Sequence, residues 1–136
     1  MALDRAQLLD FARRYTEAWC SGDPARVAAH FARDGLIAIN GGAPTPVLGV
    51  AESFMAAFPD MRVEMDDVVI RDDGVVEYHW TLVGTNTGPG GTGNRVRISG
   101  FEEWTIGADG LVATSLGHYD QAEYDRQVAH GVGQTA

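Results

Sequence analysis

Apolar positions recur at helical spacing at the start of the chain and alternate with polar ones over its second half, and this switch predicts helices first and strands afterwards. Leu8, Ala12, Tyr15 and Trp19 fall on one stripe of a helix. Asp4 followed by Gln7 has the pattern of a capping box at its start, and Gly22 stops it. Asp23-Pro24 offers an N-cap and a proline at the first helical position, opening a second helix on which Val27, His30 and Phe31 share a face. The tight turn between them predicts a helical hairpin. Leu36 to Ile39 reads as a short strand, Gly41, Gly42, Pro44 and Pro46 as a loop, and Val50 to Phe58 as a third helix ended by Pro59.

From there the period becomes two. Arg62 to Arg71 is a strand and Asp72-Asp73-Gly74 a hairpin turn. Val75 to Val83 returns with Val76, Tyr78, Trp80 and Leu82 on one face and Glu77 and His79 on the other. TNTGPGGTGN follows. Its glycines do not make a phosphate cradle, because such a loop must open a helix, whereas this one joins two strands. A flexible hairpin loop able to cover a pocket is expected instead. RVRISGFEEWTI and LVATSLGHYD are two further strands, and QAEYDRQVAHG is a closing helix. The order predicts an α+β fold with helices on one side of a curved antiparallel sheet.

Composition narrows the function. At 136 residues the chain suits one domain, and no internal repeat or linker divides it. A net charge of -9 argues against nucleic acid and against anionic membranes as partners. No apolar run approaches membrane-spanning length and the start lacks the basic and then apolar order of a signal peptide, so a cytoplasmic protein is expected. All ten Lys+Arg positions are arginine, which excludes lysine-dependent Schiff-base chemistry, lysine-anchored pyridoxal phosphate and a Walker-type phosphate loop. A lone Cys20 permits neither an internal disulfide nor a thiolate zinc cluster.

The candidate chemistry lies toward the end of the chain. His118-Tyr119-Asp120 closes a strand rich in aliphatic and small residues, and a carboxylate at such a pocket mouth suits proton transfer; Asp120 is equally a favoured N-cap for the helix that follows. Glu102 and Glu103 are adjacent on a strand, so one faces inward, as a functional acid or paired with an arginine such as Arg95 or Arg97. Tyr15 and Trp19 fit core packing by their spacing. Trp80, Phe101 and Trp104 either line a cavity or fill it. His118, Asp120 and His79 have the types of a two-histidine, one-carboxylate metal site, against the ordinary case of polar histidines at strand ends. His30 reads as packed and His130 as solvated.

The quoted elements, from RRYTEAWCSGD through GVAESFMAAFPD to TNTG…GNRVRISGFEEW and HYDQAEYDRQVAHG, resemble the nuclear transport factor 2-like superfamily, and within it the SnoaL-like polyketide cyclases. The resemblance implies a cone-shaped fold in which a bent sheet wraps around a long helix and leaves an apolar cavity open at one end. It implies Asp120 as general acid and base in an aldol ring closure. From the related ketosteroid isomerases it implies Tyr15 as donor to a developing oxyanion and Glu102 as a buried, protonated acid. His118 would assist, and Trp19, Trp80, Asn86, Phe101, Trp104 and Tyr119 would contact substrate. The isomerases' general base belongs near Ile39-Asn40, where no carboxylate stands, so steroid isomerisation is not expected. Thr85-Asn86 replaces a Thr-His pair common among the cyclases, and the Asp-Arg-Asp arrangement of limonene epoxide hydrolases is missing near Gly100 to Glu103. Asn86 can bond a carbonyl but cannot shuttle protons.

The expectation is thus an enzyme without cofactor or metal that acts by acid–base chemistry on an apolar, carbonyl-bearing small molecule, by cyclisation, isomerisation or dehydration. A homodimer is expected from the family. The rival reading is a non-catalytic module of the same fold that binds a small ligand or assembles as a dimer.

Overall fold

The Asp4 carboxylate accepts from the Gln7 N–H at 2.8 Å while the Gln7 side chain accepts from the Asp4 N–H at 3.0 Å, so the capping box forms as its residues dictate. In this computed structural model, which describes residues 4–132, helix α1 then spans Arg5–Cys20 and buries Leu8, Ala12, Tyr15, Ala18 and Trp19 along one stripe. Helix α2, Pro24–Ala28, is capped by the Asp23 side chain and is shorter than its apolar spacing suggests. His30 and Phe31 lie beyond it. Phe31 opens strand β1 (Phe31–Ile39), because it pairs with Val112, whose N–H donates to the His30 carbonyl at 3.0 Å. Distant pairing thus overrides local helical spacing.

A two-residue strand β2 (Thr45–Pro46) lies antiparallel to β1, and helix α3 runs Val47–Ala57, three residues earlier than expected at its start. Strands β3 (Arg62–Ile70), β4 (Val76–Thr85), β5 (Arg95–Ile106) and β6 (Val112–Tyr119) form the meander, and helix α4 spans Gln121–His130. The six strands are ordered β2-β1-β6-β5-β4-β3 in one open sheet. It is not wholly antiparallel, since β1 runs parallel to β6. Such a pair needs a crossover that here takes in everything between β1 and β6, which no local pattern announces. Register shifts at Met65/Asp67 and Thr105/Ile106 mark irregularities of the kind that bend a sheet.

One face of the sheet closes over α1. Val76, Tyr78 and Leu82 from β4, Val96, Ile98 and Trp104 from β5, and Val112 from β6 join the buried stripe of α1 in one core. The loop between β4 and β5 is tethered, contrary to expectation. Asn86 Nδ2 and the Gly88 N–H both donate to the Ala57 carbonyl at 3.3 Å, and Thr92 Oγ1 and Asn94 Nδ2 both donate to the Val128 carbonyl. A side chain at Gly88 would stand 1.9 Å from the Ala56 carbonyl oxygen, so glycine is what allows the loop to lie on the end of α3. Asn86 is therefore a bracket between loop and helix, and it does not line the pocket described below. Among the described residues no helix is long and apolar enough to cross a membrane.

Candidate active site

Alternation along β5 decides which of two adjacent acids enters the core. Glu102 stands opposite Tyr78 and Gly117 on the face that meets α1, while Glu103 stands opposite Glu77 and Leu116 on the outer face. Glu103 bonds Arg71 Nη1 and His118 Nε2, both at 2.6 Å, and these two partners hold its carboxyl below the usual range. Its arginine is Arg71, at the end of the β3–β4 hairpin; the inward acid, for which Arg95 or Arg97 was the expected partner, is Glu102, and it bonds neither.

Among the described residues Glu102 has no cation as a partner. Its Oε1 accepts from Trp104 Nε1 at 2.9 Å, from Ser115 Oγ at 2.8 Å and from the Tyr15 hydroxyl at 3.1 Å; Oε2 accepts only from that same hydroxyl, at 3.1 Å. The side chain is buried, and desolvation raises its pKa above the ordinary 4.5 even though all three donors pull the other way. Burial likewise pushes the Tyr15 phenol well above its usual value, with the neighbouring Glu102 adding to the shift.

Above Glu102 opens an apolar pocket of about 50 Å³. Since a water needs on the order of 10–15 Å³ of such space, the pocket suits a few waters or a compact molecule. The sheet contributes Tyr78, Trp80, Leu82, Ile98 and Tyr119 to its wall, α1 contributes Trp19, α3 Val50 and Phe54, and α4 Tyr124. Gly100 lets the wall form. It sits between Trp80 and Tyr119, and a side chain there would meet the His118 carbonyl at 2.2 Å and the Trp80 ring at 2.7 Å. Among the described residues Glu102 is the one carboxyl lining this space, and no arginine or histidine does so. Trp80 Nε1 is buried without a hydrogen-bond partner, the one such side-chain atom among the described residues.

The pattern of the SnoaL-like domain matches residues 12–115, most of the chain. The chain belongs to the SnoaL-like family. None of the curated proteins matches this SnoaL-like domain in sequence. Among solved structures, AclR from Streptomyces galilaeus is 20% identical with a TM-score of 0.78, covering 93% of this chain and 87% of that one. A protein from Jannaschia sp. CCS1 described as a SnoaL-like polyketide cyclase is 18% identical, with a TM-score of 0.75 and coverage of 95% and 99%. A nuclear transport factor 2-like protein from Exiguobacterium sp. 255-15 is 15% identical, with a TM-score of 0.66 and coverage of 82% and 98%. At these identities the likeness carries the fold, an α+β domain of the nuclear transport factor 2-like kind.

Against that fold the candidate residues of this SnoaL-like domain separate into three groups. Trp19, Trp80, Tyr119 and Glu102 line the pocket. Tyr15 and Trp104 do not; both are fully buried beneath it and act on Glu102 as donors. Phe101 and His118 lie on the outer face of the sheet, their rings 4.8 Å apart, because each is one residue out of phase with the inner positions of its strand. His79 stacks on the other side of Phe101 at 5.2 Å and bonds Glu77 at 2.9 Å, so His79, His118 and Asp120 do not converge as a metal site would require.

Asp120 is exposed, and its carboxylate accepts from the Glu123 N–H at 3.0 Å as the N-cap of α4. It does not line the pocket. Capping predicts a specific outcome: Asp120→Asn should change stability by only a few tenths of a kcal/mol, about, whereas Asp120→Ala should cost about 1 kcal/mol. Urea unfolding of the two variants measures this. The pocket also holds residues that the sequence did not single out for it. Phe54 and Tyr124 come from helices whose inward faces depend on docking. Ser115, buried beneath the pocket as a donor to Glu102, shares the inner face of β6 with Gly117 and Tyr119, a period-two signal that was readable.

Proposed function

We propose that this SnoaL-like domain is a cofactor-independent acid–base enzyme that moves a proton next to the carbonyl of a compact apolar molecule, in a ring closure, isomerisation or dehydration. The observation that carries this is Glu102, a buried carboxyl lining an apolar pocket with no cation beside it among the described residues. The resemblance to a SnoaL-like polyketide cyclase supports the reaction class. Glu102 takes the place expected of Asp120.

In this reading the ionised Glu102 accepts the α-proton through Oε2, the oxygen that has only the Tyr15 hydroxyl as a partner. Proton uptake removes a charge that burial disfavours, so the raised pKa increases the driving force for abstraction. Tyr15, Trp104 and Ser115 are positioning residues, fixing the carboxyl by three hydrogen bonds to Oε1. The enolate oxygen needs a donor. Trp80 Nε1, buried and unpartnered among the described residues, supplies one, with the Tyr119 and Tyr124 side chains lining the same space.

Incubating the protein in D₂O with a panel of small apolar ketones tests the reading. Deuterium incorporation next to the carbonyl, followed by NMR, should be accelerated by the native protein for at least one ketone. Binding without exchange across the panel would leave a ligand-binding module.

The homodimer expected from the family is proposed to use the outer face of the sheet, where Leu36 and Leu116 stay 36% and 48% exposed. Sedimentation velocity should give twice the 14.6 kDa chain mass, and Leu116→Glu should return the protein to a monomer. A native monomer would refute the proposal.

A further inference from the structure

The aromatic wall of the pocket has an arrangement that burial of an apolar ligand does not require. Trp19, Phe54, Tyr124, Tyr119 and Trp80 form a continuous chain of ring contacts, with successive centroids 6.3, 6.2, 5.5 and 6.0 Å apart. Successive planes are inclined at 75, 75, 62 and 65°. All five rings line the same space, and Tyr78 adds a sixth from the sheet. Rings meeting at such steep angles around one volume are adjoining walls of a box. Aromatic faces carry negative potential, and boxes of this kind favour cations.

The polar groups point the same way. Glu102 adds a carboxyl to the box, and among the described residues its hydrogen-bond partners are all uncharged and no basic side chain lines the pocket. The carboxyl and the ring faces are thus negative features without a positive counterpart. An anionic ligand would be repelled, and a neutral one would use the burial but leave the carboxyl unbalanced. A cation with apolar substituents satisfies both the rings and the acid. The pocket volume of about 50 Å³ limits it to a compact group.

We propose that the pocket takes a compact cationic nitrogen compound, a tertiary or quaternary ammonium or an iminium, with its nitrogen beside Glu102 and its carbon substituents against the rings. The binding claim stands on the box alone. Only its extension to a substrate rests on the acid–base reading: the molecule that Glu102 deprotonates next to a carbonyl would then also carry the positive nitrogen.

Isothermal titration calorimetry with choline and with 3,3-dimethylbutan-1-ol, its uncharged isostere in which carbon replaces the nitrogen, tests this directly. The native protein should bind choline at least about tenfold more tightly than the alcohol. Glu102→Gln, verified as folded by thermal melting, should bring the two close to parity. Tyr124→Leu, which removes a half-buried ring at the wall, should weaken choline about fivefold and leave the alcohol nearly unchanged. Equal binding of the pair, preference for the alcohol, a choline preference untouched by Glu102→Gln, or no saturation by either at millimolar concentration would overturn the proposal. Ketone exchange without a choline preference would refute this inference and spare the acid–base reading; a choline preference without exchange would do the reverse.

Discussion

Glu102→Gln should slow proton exchange by about 10²- to 10⁴-fold, the usual contribution of a positioned acid or base, while the protein stays folded. The substitution is nearly isosteric. The glutamine oxygen can still accept from Trp104 and Ser115, and its NH₂ can donate one hydrogen to the Tyr15 oxygen, so all three partners of the carboxyl keep a bond. Stability should respond to pH in a way that only this residue explains. In the folded protein the Glu102 pKa lies above 4.5, whereas in the unfolded chain it returns to about its ordinary value. Between those two pKa values the folded state keeps a proton that the unfolded state has released, so the contribution of Glu102 to stability falls as pH rises across that window. Glutamine does not titrate. The stability of Glu102→Gln relative to the native protein should therefore increase with pH from about 4.5 and level off above the folded pKa of Glu102. Denaturant unfolding at a series of pH values measures it. Exchange within a few-fold of native would remove Glu102 from the chemistry, and a flat stability difference would mean that burial does not perturb it.

Why the sequence pointed first to Asp120 and not to Glu102 is a matter of range. Helical spacing in α1 and period-two alternation in β3 to β6 are local signals, and each element stands close to where they placed it. Alternation also limited the choice at Glu102-Glu103 to one inward acid. Choosing between them needed the register of β5 against β4 and β6, which sets Glu102 beside Tyr78 and Gly117. Asp120 satisfies a local rule completely, as the cap of α4, and a residue can meet that rule without approaching the pocket. The shortened α2 and the parallel β1–β6 pair have the same origin, since Phe31 is claimed by Val112 across most of the chain. The aromatic box was the least legible feature. Trp19 and Trp80 could be named as lining residues, but Phe54 and Tyr124 join them only because α3 and α4 dock over the open sheet.

Trp104→Ala should unfold the protein or leave it without fixed packing. The ring is fully buried, stacks on Tyr78 at 4.9 Å and 11°, and meets Tyr15 and Phe11 edge-on at 5.2 and 5.5 Å. Truncating a buried tryptophan costs about 3–5 kcal/mol. Losing a donor to a buried carboxyl adds about 1–3 kcal/mol. Together these approach the roughly 5–15 kcal/mol that holds a domain folded. Loss of the near-ultraviolet dichroism signal and of a cooperative thermal transition would report it. Trp104→Phe separates packing from chemistry, because it keeps a ring against Tyr78 and Tyr15 but removes the Nε1–H that reaches Glu102 at 2.9 Å. That hydrogen bond is the foremost influence holding the Glu102 pKa down against desolvation. Without it the pKa rises further, so the acid limb of the pH–rate profile for exchange should move to higher pH in Trp104→Phe. A variant that is merely less stable would show an unshifted profile, and that outcome would reduce Trp104 to a core residue under the pocket.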